Sequence, residues 1–305
     1  MEEIDIAQIK KRSIRGIFAL TSRTFLIQVV GFLATFILTI YLTPETFGIF
    51  FVVSAAIAFL SYFSDIGLAA ALIQKKSEIT NDDLKTTFTI QQILVVSFVT
   101  LALLASNFVG EFYNLGKDGV LLFQAVAVAF FLSSLKTIPS IILERNLRFE
   151  KLVIPQIAET LVFNILVVIL AIKGFGITSF TYAVLARGLS GLLVMYLISP
   201  WKVRFGFSKD SAKKLLSFGI PFQLNSFLAL VKDDLLIAYL GKVLPLAQVG
   251  YIGFAQKWAL TPLRLIMDNV IRITFPSFSR LQDEKEILTK AIEKSIFAAT
   301  LLIFP

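Results

Sequence analysis

Apolar residues in this chain gather into long runs separated by short polar, basic or Gly/Pro-containing links. A helix needs about 20 mostly apolar residues to cross a bilayer. By that measure the sequence predicts spans at Thr21–Leu42, Phe47–Leu72, Thr86–Val109, Val120–Leu143, Leu152–Ile172, Ile177–Pro200, Leu215–Leu240 and Gln248–Phe275. A ninth run begins near Lys290 and reaches only to Pro305, which is short and without a closing flank, so the chain is expected to be the front part of a longer protein. The pattern predicts an all-α polytopic membrane protein.

Composition agrees with that pattern: 56% of the 305 residues are apolar and 30 are Phe. Such a chain is too apolar for an ordinary soluble domain. Cysteine and histidine are both absent, which excludes disulfides, thiolate chemistry, imidazole bases and the usual zinc sites. No metal and no cofactor is expected. The formal charge of +8 could suggest nucleic acid, but the basic residues fall between the spans, where orientation in the bilayer explains them better.

Lys10, Lys11, Arg12 and Arg15 precede the first span, and every second loop after it is basic, as at Lys75, Lys76 and Lys85, at Arg145, Arg148 and Lys151, and from Lys202 to Lys214. The intervening loops hold only Lys117, Lys173 and Lys242. This bias places the N-terminus in the cytoplasm. Residues 1–11 have no apolar core before their basic cluster, so no removable signal peptide is expected.

Seven of the eight long runs contain an ionisable residue. A charge inside a span costs several kcal/mol unless it faces protein, a partner or water. The basic members are Arg23, Lys136, Arg187, Lys232, Lys257, Arg264 and Arg272, against Asp65, Glu159, Asp233, Asp234 and Asp268. The surplus is positive, whereas a purely structural network would sum to zero. In the eighth span Lys257, Arg264, Asp268 and Arg272 recur at helical spacing, forming one polar stripe roughly 22 Å long. Thr24, Gln28, Gly31, Thr35 and Thr39 form an uncharged stripe in the first span, readable as a helix–helix contact. Arg23 could snorkel to the headgroups or serve a cavity. Asp65 and Glu159 are candidates for proton or cation coupling, or else neutralise a nearby base; Asp233 and Asp268 are further coupling candidates. Pro139, Pro155 and Pro221 are expected to mark bends.

Tyr41-Leu42 followed by Gly48 is echoed by Tyr239-Leu240-Gly241 followed by Gly250-Tyr251. Six spans separate the copies, the arrangement of two parallel repeats. The expected organisation is a six-span lobe at 1–205 and part of a second lobe at 206–305. Leu42-Thr43-Pro44-Glu45-Thr46-Phe47-Gly48, Ser64-Asp65-Ile66-Gly67-Leu68, Glu144 to Leu152, Phe218-Gly219-Ile220-Pro221 and Phe275 to Gln282 resemble, in their order and spacing, the Wzx-type polysaccharide flippases of the multidrug/oligosaccharidyl-lipid/polysaccharide superfamily.

That resemblance implies a MATE-like fold of two six-helix lobes around a cationic cavity, moving a lipid-linked sugar by alternating access in a bacterial or archaeal cytoplasmic membrane. Its partners would be a polyprenyl-diphosphate-linked oligosaccharide, membrane lipids and polysaccharide polymerase machinery, with no nucleic acid. Lys257 is similar in position to a cavity arginine of the related lipid II flippases, and Arg23 to their basic residue at the cytoplasmic end of the first span. The expected headgroup ligands are Lys136, Arg187, Lys257 and Arg264, with Arg23 near the entry. A cation-coupled multidrug exporter of the same superfamily is the alternative; its cavity should be acidic and aromatic, not basic. An enzyme would want carboxylates gathered in an aqueous loop, and the outer loops offer only Glu111 and Asp118.

Overall fold

The structure is a computed structural model, and it describes residues 6–75, 77–146, 148–260 and 285–303. Among them there is no strand. In chain order the helices are α1 (Ile6–Tyr41), α2 (Pro44–Ser61), α3 (Leu68–Gln74), α4 (Asn81–Leu104), α5 (Ser106–Phe112), α6 (Gly116–Ser134), α7 (Thr137–Arg145), α8 (Phe149–Ile172), α9 (Thr178–Ile198) and α10 (Lys209–Val243). They are followed by α11 (246–260) and α12 (Lys285–Ile303). Ser22–Tyr41, α2, α4, α6, α8 and α9 are each long and apolar enough to cross a membrane. The chain is an all-α multi-pass membrane protein.

Local chemistry fixes where these helices start. Thr43 caps α2 through the Thr46 amide at 3.4 Å, with Pro44 in the first turn, where a missing N–H costs nothing. Thr80 and Asp83 form a reciprocal capping box on α4. Ser208 caps α10.

Two expected spans are broken where the sequence pattern reads as continuous. The run Phe47–Leu72 divides into α2 and α3 because Ile66 (φ 49°) and Gly67 (φ 73°) turn left-handed between them. A Cβ on Gly67 would come within 2.8 Å of the Gly219 backbone on α10, so this glycine serves both the turn and a close helix approach. The run Val120–Leu143 divides at Leu135–Lys136 into α6 and α7. The Tyr196 hydroxyl donates to the freed Leu135 carbonyl at 3.0 Å. Gln92 donates to Ser134 at 3.1 Å and Gln91 to Thr137 at 3.0 Å. The Tyr196 bond satisfies the broken backbone, as a stable break at membrane depth requires, while the two glutamines hold the Ser134 and Thr137 hydroxyls on either side of it. Pro155 and Pro221 lie inside α8 and α10, and Pro139 lies in the first turn of α7.

By its internal packing the chain forms two compact units, Met1–Gly250 and Tyr251–Pro305. This division follows contacts, whereas the 1–205 and 206–305 lobes follow the sequence repeat, so the two boundaries answer different questions. In the first unit α10 packs on α2, α3 and α4, and α9 packs between α6 and α8. The main core joins α1, α2, α6, α8 and α9 around Val52, Val53, Leu122, Val167 and Ala183. Phe50 stacks on Phe180 at 4.3 Å between centroids. Phe25, Phe32, Phe36 and Ile40 stay exposed along α1, the expected condition of a lipid-facing stripe.

Of the first-span polar stripe, Thr24 and Thr35 each bond a carbonyl of their own helix, at 2.9 and 2.6 Å. Gly31 has nothing among the described residues within 4 Å of where a Cβ would stand. The repeat motif does meet itself: a Cβ on Gly48 would overlap the Leu246 carbonyl and lie 3.1 Å from the Gly250 amide nitrogen.

Candidate functional site

Helices α2, α6, α8 and α9 enclose a cavity of about 300 Å³. Its wall is mostly apolar and hydroxylated, including Phe50, Ser54, Ile57, Ser61, Phe130 and Ser133. Lys136, Glu159 and Arg187 supply its charge.

Each charged group is placed by a feature of its helix. Lys136 sits in the break that begins α7, which lets its side chain leave the helix axis and reach Glu159, with which it forms a direct ion pair. Glu159 lies near the middle of α8 and is 8% exposed. It rests on Gly191 of α9, where a Cβ would come within 2.5 Å of the carboxylate carbon. Arg187, one turn before Gly191 on the same face of α9, approaches the other carboxylate oxygen with Nε at 3.9 Å. Its guanidinium lies 5.8 Å from the Phe163 ring centroid, a cation–π arrangement, and Phe163 is one turn beyond Glu159 on α8. Arg187 remains 54% exposed in its side chain and makes no side-chain hydrogen bond among the described residues.

Arg23 on α1 is close enough to interact electrostatically with Glu159. Its Nε is buried without a hydrogen-bond partner among the described residues. One carboxylate therefore meets two cations, Lys136 and Arg187, from two further segments of the first unit. The candidates Lys136, Arg187 and Glu159 converge on one cavity with a positive excess, and Arg23 lies on α1, which packs on α8, outside the cavity lining. Of the two readings open for Glu159, neutralisation of nearby bases describes its contacts here.

The remaining candidates fall elsewhere. Asp65 accepts hydrogen bonds from the Ala69 amide at 3.2 and 3.3 Å and caps α3. Lys257 belongs to α11 in the second unit, its ammonium 5.6 Å from the Trp258 ring centroid. Arg264, Asp268 and Arg272 lie outside the described residues, as do the side chains of Lys232 and Asp233. Asp234 accepts a 2.8 Å hydrogen bond from the Tyr62 hydroxyl, and Gln223 donates to the Tyr62 carbonyl at 2.7 Å, so α10 is tied to the end of α2.

Sequence reasoning missed Phe163 and Gly191, the ring and the seat of the cluster. The signal was present in the spacing: Glu159 to Phe163 and Arg187 to Gly191 are both four residues, one face of a helix in each case. It also missed Arg145, whose guanidinium donates to the carbonyls of Leu72 at 2.8 Å, Lys75 at 2.6 Å and Ser77 at 2.6 Å and so closes the C-terminal end of α3.

Residues 37–305 match the family described as polysaccharide biosynthesis protein. The chain is 26% identical to an uncharacterised membrane protein in the cps region of Klebsiella pneumoniae, over 94% of this chain and 59% of that protein. It is 22% identical to the succinoglycan biosynthesis transport protein ExoT of Rhizobium meliloti, over 88% of this chain and 54% of ExoT. It is also 22% identical to the lipopolysaccharide biosynthesis protein WzxC of Escherichia coli, over 97% of this chain and 60% of WzxC. The chain thus spans about 60% of the length of these relatives. No solved structure matches it significantly. Matched over most of its length and built of membrane-spanning helices, the chain belongs to the polysaccharide biosynthesis protein family, the group of Wzx-type transporters.

Proposed function

We propose that this chain serves a flippase that moves a polyprenyl-diphosphate-linked oligosaccharide across the cytoplasmic membrane by alternating access, its N-terminus in the cytoplasm. The observation that carries the reading is the cluster of Lys136 and Arg187 around Glu159, near the middle of the spanning helix α8. Taking an anion from water into a dry interior carries an idealised cost of order 20 kcal/mol. A wet cationic cavity removes most of that barrier while the polyprenyl tail stays in lipid. Guanidinium groups bind phosphate oxygens through charge-assisted, often bidentate hydrogen bonds, and the hydroxyls of Ser54, Ser61 and Ser133 suit a sugar. Lys257 and Arg264, from the eighth predicted span, are further headgroup ligands in this reading.

The basic excess argues against a cation-coupled drug exporter, whose cavity should attract positive substrates. A deletion strain tests the reading. It should accumulate lipid-linked oligosaccharide on the cytoplasmic leaflet, and the wild-type gene should clear it while a double R187A and K257A variant should not. Drug sensitivity without such accumulation, or full clearance by the double variant, would overturn the proposal.

A further inference from the structure

We infer that Glu159 is a built-in counter-anion that restrains headgroup affinity so that the lipid-linked substrate can leave, and that Gly191 is the positioning residue that seats it. The inference rests on the proposed function, since it concerns how that cavity releases an anionic headgroup.

A transport site must bind strongly enough to admit its substrate and weakly enough to release it. Two cations facing a diphosphate in this cavity, Lys136 and Arg187, would hold it tightly at low dielectric. The cavity avoids this by dividing their charge. Lys136 is spent on Glu159 in a direct ion pair, and the two side chains are only 17% and 10% exposed. Arg187 meets the same carboxylate only through Nε at 3.9 Å, beyond hydrogen-bond reach, so its donors remain available to a phosphate. Glu159 thereby lowers the positive potential of the cavity by one unit and sets Lys136 apart from Arg187.

Gly191 makes this division geometrically possible. Any side chain at residue 191 would take the space of the carboxylate, whose Cγ and Cδ each lie 2.5 Å from the Cβ position. Glu159 would then be driven off α9 and toward the cavity, where it would compete with the headgroup for Arg187.

The opposite signs of two substitutions test the idea. The full-length protein is placed in nanodiscs and titrated with farnesyl-diphosphoglucose and farnesyl-phosphoglucose, probes with the same tail and sugar but two phosphates or one. E159Q should tighten the diphosphate probe more than tenfold, because unit charges about 6 Å apart at an effective dielectric constant of about 40 already give about tenfold and the diphosphate carries two. It should tighten the monophosphate probe less, and it should slow flipping of the diphosphate probe in proteoliposomes. G191A should weaken the diphosphate probe although it removes no charge, and G191A/E159D, with the acid shortened by one methylene, should restore it. Unchanged or weaker binding by E159Q would overturn the inference, as would G191A binding like the wild type. R187A separates this failure from that of the underlying reading. If R187A binds the diphosphate probe as well as the wild type does, the cavity is not the headgroup site at all; if R187A abolishes binding while E159Q does not tighten it, only the counter-anion role is lost.

Discussion

Replacing Gly48 by Ala probes the point where the two copies of the repeat touch. A methyl group there would overlap the Leu246 carbonyl oxygen, stand 2.7 Å from the Leu246 carbonyl carbon and 3.1 Å from the Gly250 nitrogen. Carbon atoms in contact prefer about 3.5–4.0 Å, so α2 and the 246–250 segment must separate by about 1 Å. All three obstructing atoms are backbone, so no rotamer change relieves the clash. Overpacking of this kind costs about 1–3 kcal/mol, and the backbone origin puts G48A toward the upper end. For a unit of this size that is a fall in melting temperature of about 4–10 °C, read by a thermal ramp of intrinsic fluorescence in detergent. Gly31→Ala is the internal control, because nothing among the described residues lies within 4 Å of its Cβ position and Ala favours helix by about 1 kcal/mol over Gly; it should hold or raise the melting temperature. An unchanged melting temperature for G48A, or a larger fall for G31A, would refute the close approach of α2 to 246–250.

Other outcomes follow from the same contacts. K136A leaves Glu159 buried with only the more distant Arg187 and Arg23 as partners, and should destabilise the first unit by about 2–4 kcal/mol; K136A/E159Q should recover at least half of that loss in the same thermal ramp, and failure to recover would show that the pair is not the source. R145K keeps the charge but loses the planar fork that spans three carbonyls, so limited trypsin digestion should cut the 75–85 segment several-fold faster than in the wild type; equal rates would remove Arg145 from the role of α3 clamp. Y196F deletes the hydrogen bond to the Leu135 carbonyl, worth about 1 kcal/mol, and amide exchange should rise locally at residues 135–140 while α9 stays protected; exchange unchanged at the break would mean that another group satisfies it.

The family match runs from residue 37 to 305 and so includes Lys136, Glu159 and Arg187. That these three meet is seen only once α6, α8 and α9 are assembled.

What the sequence alone determined is the class of protein and the approximate course of its spans, because transfer into a bilayer depends on the apolar content of each local stretch and requires no knowledge of neighbours. Ser22–Tyr41, α8 and α9 fall within a few residues of the runs read from the pattern. The sequence also exposed the surplus of charge inside those runs. Only the tertiary structure decided how that charge is used. The breaks at Gly67 and Lys136 are stabilised by Gly219, Gln91, Gln92 and Tyr196, residues up to about 150 positions away, and a hydropathy pattern carries no record of such partners. In the same way Asp65 and Glu159 look alike along the chain, yet one caps α3 and the other holds Lys136 and approaches Arg187. A carboxylate's role is fixed by which donors lie within a few ångströms, and that distance is set by helix packing across Gly191, not by neighbours in sequence.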